Sequence, residues 1–327
     1  MAQPRLDIHV DAHTRLKAMA EDVVSGLTAH PKSLPPKYFY DPAGSRLFDE
    51  ITRLPEYYLT RAEEAILAGT GPALMRLIRP RDVVELGSGT SEKTRRLLAA
   101  RDGDRAPLRY TPVEIDAETV TAAAAALTAQ YPEVDVHGVV GDFERHLVHV
   151  PPPLGRRLAL FLGSTIGNLH PPQRRSVLAA IRDLLPPDGR LLLGVDLVKD
   201  VAALEAAYDD AAGVTREFNR NVLRVVNRGL GGDFRPEAFR HHARYSAEES
   251  RIEMHLVAES RQTVRLRAVD LTVHVEAGES IWTESSYKFT RASVAEALDE
   301  AGLRLDGWHT DGAQRFALAV ATPRRRG

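Results

Sequence analysis

The sequence predicts an α/β fold, in which helices cover both faces of a mostly parallel sheet, joined to a smaller α+β part. Two observations predict it. From Val83 to Leu197, short apolar segments typical of strands alternate with segments typical of helices, the order found in parallel sheets. After Asp200 this order stops, and residues 244–280 alternate apolar and polar side chains without a helix between them, which favours antiparallel β-structure.

The elements of the first part follow in a regular order. Short apolar runs predict five strands, "DVVELG", "LRYTPVEID", "VDVHGVVGDF", "RLALFLGSTIGNL" and "RLLLGVDL". Helical patterns between them predict three helices, "SEKTRRLLAA", "AETVTAAAAALTAQY" and "PPQRRSVLAAIRDLLPPDG", the last ended by prolines.

The second part begins with one long predicted helix, "VAALEAAYDDAAGVTREFNRNVLRVVNRGL". Near the end of the chain a helix, "SVAEALDEAGL", precedes two strands that read as a hairpin. The simplest organisation is an α/β domain of residues 63–198 and 289–327, interrupted by an insertion. Residues 1–62 and 199–288 are then expected to form the second domain, which we expect to bind the substrate.

Composition excludes several classes of protein. The 327 residues carry 43 basic and 45 acidic side chains, so we expect neither nucleic acid nor a membrane as partner. Cysteine is absent, which excludes disulfides and thiolate chemistry. The sequence shows no signal peptide and no apolar run of about 20 residues, and its twelve histidines form no recognisable metal motif. We therefore expect a cytoplasmic protein without a metal; we also expect a monomer, although composition does not determine the oligomeric state.

A glycine turn, Gly87 and Gly89, follows the first predicted strand and opens a helix. Such a turn suits an anionic or polyhydroxylated ligand. A dinucleotide site requires a third glycine where this chain has Glu92, and the lysine of a P-loop is also missing. An acidic residue before G-x-G, here Glu85, instead resembles the first motif of class I S-adenosylmethionine-dependent methyltransferases, which have a Rossmann-like sheet.

Two further strand ends agree with this cofactor. Glu114 ends the second strand, and a carboxylate there can accept hydrogen bonds from both ribose hydroxyls. After the third strand, Asp142 is suited to the adenine amino group and Phe143 to stacking on its ring. Because ligands of open α/β sheets bind at the carboxyl ends of the strands, we predict S-adenosyl-L-methionine as the cofactor.

Asn168 follows the fourth strand, at the edge where a methyl acceptor is expected. An amide can orient an amine through its carbonyl group and bind a carboxylate through its NH2 group. Capping of the loop is the alternative role, and the position alone does not decide between them.

Longer motifs carry a more specific resemblance. "PKSLPPKYFYDPAGSRLFDEITRLPEYYLTRAE", "VELGSGTSEKTR", "FLGSTIGNL", "AAGVTREFNRNVL" and "RIEMHL" together resemble the histidine-specific, S-adenosylmethionine-dependent methyltransferases over nearly the whole chain. The resemblance implies three methylations of the α-amino group of L-histidine, giving hercynine for ergothioneine biosynthesis. It also implies that Glu284 and Ser286 bind the two imidazole nitrogens and that Met254 lines the ring.

The resemblance assigns the remaining site residues. Asn168 and Tyr208 would hold the substrate carboxylate and amine, and Tyr40 would act with them in catalysis. Three further substrate residues and one cofactor residue follow from the same motifs, namely Phe48, Tyr57 and Gly163 for the substrate and Lys93 for the cofactor. Whether Tyr57 or Tyr58 lines the pocket stays open.

Two alternatives remain at the level of sequence. A related branch of the family methylates a prenylated tryptophan, so another aromatic amino acid could be the acceptor. The fold could also belong to a catalytically silent binding protein. An indole has one donor and no acceptor nitrogen and would leave Glu284 partly unpaired at about 1–3 kcal/mol, so Glu284 and Ser286 favour histidine.

Overall fold

The computed structural model describes residues 4–101 and 106–324. Within these ranges the α-helices are α1 (Ala12–Thr28), α2 (Pro42–Ile51), α3 (Tyr58–Ile78), α4 (Glu92–Ala99), α5 (Ala117–Gln130), α6 (Pro171–Leu184), α7 (Val201–Ala206), α8 (Val214–Leu230) and α9 (Arg291–Glu300). The strands are β1 (Arg5–Ile8), β2 (Lys32–Ser33), β3 (Asp82–Leu86), β4 (Leu108–Glu114), β5 (Val134–Val140), β6 (Arg157–Phe161), β7 (Arg190–Asp196), β8 (Phe239–Ser246), β9 (Arg251–Ala258), β10 (Gln262–Leu266), β11 (Leu271–Val275), β12 (Ser280–Tyr287), β13 (Leu303–Thr310) and β14 (Phe316–Pro323).

The chain divides into two compact units. The first unit consists of the described parts of Met1–Val10, Leu59–Val198 and Phe289–Gly327. The second unit consists of Asp11–Tyr58 and Lys199–Lys288. An α/β domain is therefore interrupted by an insertion.

An eight-stranded sheet forms the centre of the first unit, in the order β1-β5-β4-β3-β6-β7-β14-β13. The strands from β1 to β7 in this order pair in parallel, whereas β14 runs antiparallel to both β7 and β13. The strand order runs outward from β3 in one direction and from β6 in the other. Because crossovers between parallel strands are almost always right-handed, α4 and α5 are expected on one face and α6 on the other. This mixed sheet with helices confirms the Rossmann-like α/β prediction.

The boundaries of the two units differ from the predicted domain boundaries near the start of the chain. Arg5–Ile8 form an edge strand beside β5, and Leu59 onward belongs with the first unit. Residues 4–10 and 59–62 therefore lie in the first unit and not, as expected, in the second. Residues 4–10 belong there because β1 pairs with β5, and β1 is too short to give an apolar pattern of its own. Residues 59–62 belong there because they are part of α3, which continues to Ile78.

A four-stranded sheet, in the order β2-β12-β9-β8, forms the second unit together with the β10–β11 hairpin. Strands β8, β9 and β12 are antiparallel, as the alternation predicts, and only β2 pairs in parallel. Helix α8 packs against β8, β9 and α2, so one face of this sheet is covered by a helix.

The predicted long helix after Asp200 is wrong, because the chain forms two helices, α7 and α8. Between them Gly213, the residue before α8, adopts φ +76°. This left-handed conformation interrupts the helix and is one that glycine adopts readily. Asp210 accepts hydrogen bonds from the backbone N–H groups of Val214 and Thr215, at 2.9 and 2.7 Å, and so caps α8. Tyr208 lies in this break rather than on a continuous helix.

No helix in residues 4–101 and 106–324 has both the length and the apolar character needed to cross a membrane.

Candidate active-site residues

Glu114 holds the glycine turn after β3. Gly87 and Gly89 have φ values of +63° and +48°, conformations that disfavour a side chain. The Glu114 carboxylate accepts hydrogen bonds from the N–H of Gly89 at 3.2 Å and from the N–H of Ile115 at 2.7 Å. The ends of β3 and β4 are thereby joined, as the parallel order of the strands predicts.

Asp142 and Phe143 follow β5 at the same edge. The ring of Phe143 lies 4.0 Å from the point where a Cβ on Gly87 would stand, so it borders the glycine turn. Asp142 accepts a hydrogen bond from the N–H of Glu144 at 2.9 Å, and its own N–H donates to Nδ1 of His146 at 3.0 Å. Sequence reasoning missed His146, which forms a local turn and belongs to no recognised motif.

Glu85 is buried beneath the turn. Its carboxylate accepts a short hydrogen bond from the Tyr110 hydroxyl, which also contacts the Ser91 hydroxyl at 2.7 Å. Burial raises the pKa of Glu85 to about 7, against the opposing effects of Tyr110, Thr94 and Lys93. Because this carboxylate is already engaged within the protein, the geometry supports a role in holding the start of α4, and its predicted cofactor contact stays a prediction.

Lys93 and Gly163 are joined by a residue that the sequence analysis missed. Glu63 on α3 is fully buried, pairs with the Lys93 ammonium, and accepts the N–H of Gly163 at 2.8 Å. A Cβ on Gly194 would lie 2.2 Å from Oε1 of Glu63, so the carboxylate fills space that glycine leaves. No local pattern distinguishes Glu63 from its neighbour Glu64.

Asn168 ends a 3₁₀ turn, Thr165–Asn168, in the loop that follows β6. Its side chain is half-buried, and among the described residues no hydrogen-bond partner is found for its amide group. The structure therefore gives no support to a capping role. The predicted contact with the substrate is compatible with this free amide.

Four of the predicted substrate residues form an aromatic chain in the second unit. Ring centroids are 5.6 Å apart for Tyr40 and Phe48, 6.1 Å for Phe48 and Tyr57, and 6.3 Å for Tyr57 and Tyr208. All three pairs meet edge to face, the arrangement that aromatic quadrupoles favour. Phe218 on α8, which was not singled out, packs against both Tyr40 and Phe48.

Tyr57 and Tyr58 have different surroundings. Tyr57 belongs to the aromatic chain, whereas the hydroxyl of Tyr58 accepts a hydrogen bond from Lys199 at 2.6 Å. The geometry therefore favours Tyr57 over Tyr58 as the substrate residue.

Glu284, Ser286 and Met254 share one face of the four-stranded sheet. Glu284 and Met254 are paired across β12 and β9, and Ser286 lies two positions after Glu284, so its side chain points the same way. An extra residue, Thr283, interrupts the register before Glu284 and sets which face Glu284 occupies. The Ser286 hydroxyl lies 2.7 Å from that of Tyr208, which joins this group to the aromatic chain.

Glu284 is 8% exposed, and within the described residues its carboxylate has no hydrogen-bond partner. Burial raises the pKa of Glu284 to about 7, although the charge of Lys288 opposes this. A buried carboxylate without a partner is destabilising, so it is suited to accept an N–H group from a ligand.

A buried hydrogen-bond network supports this face. His241 bonds the Tyr208 carbonyl oxygen through Nε2 at 2.8 Å and the Asn219 amide through Nδ1 at 2.8 Å. The oxygen of Asn219 in turn accepts the Thr283 hydroxyl at 2.7 Å. The network therefore links the backbone of Tyr208 to the bulge before Glu284. His241 therefore has a structural role.

Among residues 4–101 and 106–324, no three or more His, Cys, Asp or Glu side chains are arranged to hold a metal ion.

Replacing Glu284 by glutamine is expected to stabilise the unliganded protein at pH 8 by about 3 kcal/mol. The raised pKa means that the folded state binds the proton more tightly than the unfolded chain, with its ordinary value of 4.5. The stability contributed by Glu284 is therefore full below pH 4.5 and is lost as the pH rises through about 7. Melting temperatures of both proteins at pH 5 and pH 8 test this, and an equal difference at both values would contradict it.

A family model and several known proteins similar to this chain agree with one another. The family model described as histidine-specific methyltransferase, SAM-dependent, matches residues 19–323. The chain is 51% identical to the histidine N-alpha-methyltransferase of Mycolicibacterium smegmatis, over 96% of this chain and 97% of that protein. It is 52% identical to the protein of the same name from Mycobacterium tuberculosis, over 93% and 94%. Ergothioneine biosynthesis protein 1 of Neurospora crassa is 30% identical over 77% of this chain and 31% of its own length.

Proposed function

The chain belongs to the family of histidine-specific, S-adenosylmethionine-dependent methyltransferases, and from this membership we propose that it methylates the α-amino group of L-histidine. Three successive transfers from S-adenosyl-L-methionine give hercynine and three molecules of S-adenosyl-L-homocysteine. The names of the relatives support a place at the first step of ergothioneine biosynthesis.

The observation that carries this proposal is the pair Glu284 and Ser286. Neutral imidazole has one N–H donor and one acceptor nitrogen. The unpartnered Glu284 carboxylate would accept the N–H, and the Ser286 hydroxyl would serve the other nitrogen. Met254, directly opposite Glu284, would contact the ring.

The first unit carries groups that fit S-adenosyl-L-methionine. Glu114 would bind the ribose hydroxyls, and Asp142 and Phe143 would bind the adenine. The glycine turn lacks the third glycine that a pyrophosphate requires, which a ligand without phosphate does not need. Lys93, held by Glu63, would offer its ammonium to the carboxylate of the cofactor.

S-adenosyl-L-methionine supplies a methyl group on a sulfonium, which is already a good leaving group. Catalysis by the protein is therefore mainly the alignment of the amine lone pair with the methyl–sulfur bond. The lone pair forms the new N–C bond while the electrons of the C–S bond go to sulfur. Asn168 and Tyr208 would hold the amino acid for this. Solvent would take three protons in all, one from the α-ammonium group before the first transfer and one after each of the first two transfers.

The aromatic chain accounts for repeated methylation. The α-nitrogen loses its N–H donors one by one and ends as a permanent cation, so a cage of hydrogen bonds would reject the later intermediates. Aromatic faces stabilise an alkylammonium by about 0.5–2 kcal/mol without requiring a donor. Tyr40, Phe48 and Tyr57 provide such faces.

Mass spectrometry after incubation with S-adenosyl-L-methionine and the twenty common amino acids tests the function. We expect histidine alone to gain mass, by three methyl groups. Modification of tryptophan instead would keep the cofactor assignment and refute the acceptor assignment. Cofactor binding without any methylated product would favour a silent binding protein.

A further inference from the structure

We propose that Lys288 makes the acceptor site selective for an uncharged imidazole ring, by holding the Ser286 hydroxyl as a hydrogen-bond donor and by balancing the charge of Glu284. The inference rests on the proposed function, because it takes Glu284 and Ser286 as the groups that meet the two ring nitrogens. Lys288 belonged to none of the residues that the sequence singled out.

Lys288 is buried, with 3% of its surface exposed. Its Nζ donates to the Ser286 hydroxyl at 2.8 Å and to the Tyr208 hydroxyl at 2.9 Å. It also lies 4.5 Å from the centre of the Tyr208 ring. Because a buried ammonium is costly unless it is bonded and balanced, its place beside the imidazole-binding pair needs a physical reason.

The hydrogen bonds determine what Ser286 can offer a ligand. An ammonium only donates, so Lys288 occupies one lone pair of the Ser286 oxygen. The phenol of Tyr208 lies 2.7 Å from the Ser286 hydroxyl, and either oxygen could be the donor. We assign the donor role to Tyr208, because a phenol is a stronger acid than a serine hydroxyl. Both lone pairs of Ser286 are then used, and its own O–H group is left to donate to a ring nitrogen.

The charges around the site also favour an uncharged imidazole ring. At pH 8 Glu284 and Lys288 carry opposite charges, because burial raises the pKa of Glu284 only to about 7, against the opposing charge of Lys288. A neutral ring matches this balanced pair. An imidazolium ring would bring a second N–H to a Ser286 oxygen without a free lone pair and would add a positive charge beside Lys288.

The neighbouring groups do not replace Lys288 in this role. Across β9, the residues opposite Glu284 and Ser286 are Met254 and Ile252, which are apolar. On the next strand, β8, Tyr245 lies opposite Ile252 and His241 lies opposite Leu256, and the charges of Asp209 and Asp210 act on His241. Burial lowers the pKa of His241, against the opposing effects of the Tyr208 carbonyl group and of Asp209 and Asp210.

The test compares histidine with 1,2,4-triazol-3-ylalanine, whose ring keeps one N–H and acceptor nitrogens but stays uncharged from pH 5 to 8. Dissociation constants are measured by calorimetry with S-adenosyl-L-homocysteine bound, so that no turnover occurs. The ratio of the two constants cancels the titration of protein groups common to both ligands. In the wild type, we expect the preference for histidine to fall about 30-fold from pH 8 to pH 5, as a ring of pKa about 6.5 becomes charged.

In Lys288→Met, the same ratio is expected to change less than about threefold between pH 8 and pH 5. One lone pair of the Ser286 oxygen is then free to accept an N–H group, and no ammonium opposes a charged ring. Lys32→Met is the matched control. Lys32 is a buried lysine of the same sheet, paired with Glu279 at 2.5 Å, and its loss should leave the wild-type ratio unchanged. If circular dichroism shows that Lys288→Met is unfolded, the same measurement is made on Lys288→Gln. A change in the ratio between pH 8 and pH 5 that is smaller than in the wild type would support the inference.

Three outcomes would overturn the inference: a wild-type ratio independent of pH, a Lys288 variant as pH-dependent as the wild type, or no binding of the triazole at pH 8. Failure to methylate histidine in the mass-spectrometric assay is a different result. It would refute the proposed function itself, whereas methylation with a constant ratio refutes only the role of Lys288.

Discussion

Glu284→Ala is expected to lower kcat/KM for histidine about 100-fold, mainly through a higher KM, because a charge-assisted hydrogen bond to a buried group is lost. The preference for histidine over tryptophan should shrink as well, since an indole ring would no longer bury an unpaired carboxylate. Steady-state kinetics with both amino acids, at saturating S-adenosyl-L-methionine, measure the two effects.

Glu253→Ala is the matched control for this variant. Glu253 lies on the neighbouring strand β9 and is 5% exposed, but its carboxylate binds Arg244 and Arg251 on the opposite face of the sheet. Its removal should change stability and leave kcat/KM for histidine within about threefold. If Glu284→Ala and Glu253→Ala have equal effects on KM, Glu284 has no specific contact with the substrate.

Glu114→Ala is expected to weaken the binding of S-adenosyl-L-methionine about 50-fold, with little change in the KM for histidine. The carboxylate would lose its bonds to the ribose hydroxyls, and the N–H of Gly89 would lose the acceptor that holds the glycine turn. Titration calorimetry with S-adenosyl-L-methionine measures the affinity directly.

Two further variants test whether the effect is specific to the Glu114 carboxylate. Glu114→Asp keeps the charge and should restore most of the affinity, to within about fivefold of the wild type. Glu118→Gln changes an exposed carboxylate in the first turn of α5 and should have no effect on binding. Cofactor affinity unchanged in Glu114→Ala would exclude the ribose contact.

The location of the candidate cofactor residues was predictable from sequence because of how parallel strands are arranged. Each apolar run ends at the same edge of the sheet, so the polar residue that follows it reaches that edge without further information. Glu114, next to Gly89, and Phe143, next to Gly87, are found there. The helix break at Tyr208 was missed, because "DDAAG" interrupts a helical pattern without a proline, and its cause is the capping by Asp210.

The candidate acceptor residues were proposed only through resemblance to the family, and their roles stay predictions. The candidate acceptor residues, from Tyr40 to Ser286, are separated by long stretches of chain. No helical or strand periodicity in the sequence relates one to another. Alternation does place Glu284 and Ser286 on one face of a strand. Whether that face is buried depends on the bulge at Thr283 and on the packing of α8, which the pattern of β12 alone does not contain.

The sequence by itself determined the α/β order of elements, the glycine turn and the acidic strand ends, because these depend on local pattern and on the geometry common to parallel sheets. Only the tertiary structure decided that Glu63 holds Lys93 and Gly163, that His241 supports Tyr208, and that Lys288 bonds Tyr208 and Ser286. Most of these contacts join residues distant in the chain, and a buried charge acquires its function only from the groups that folding brings within hydrogen-bond distance.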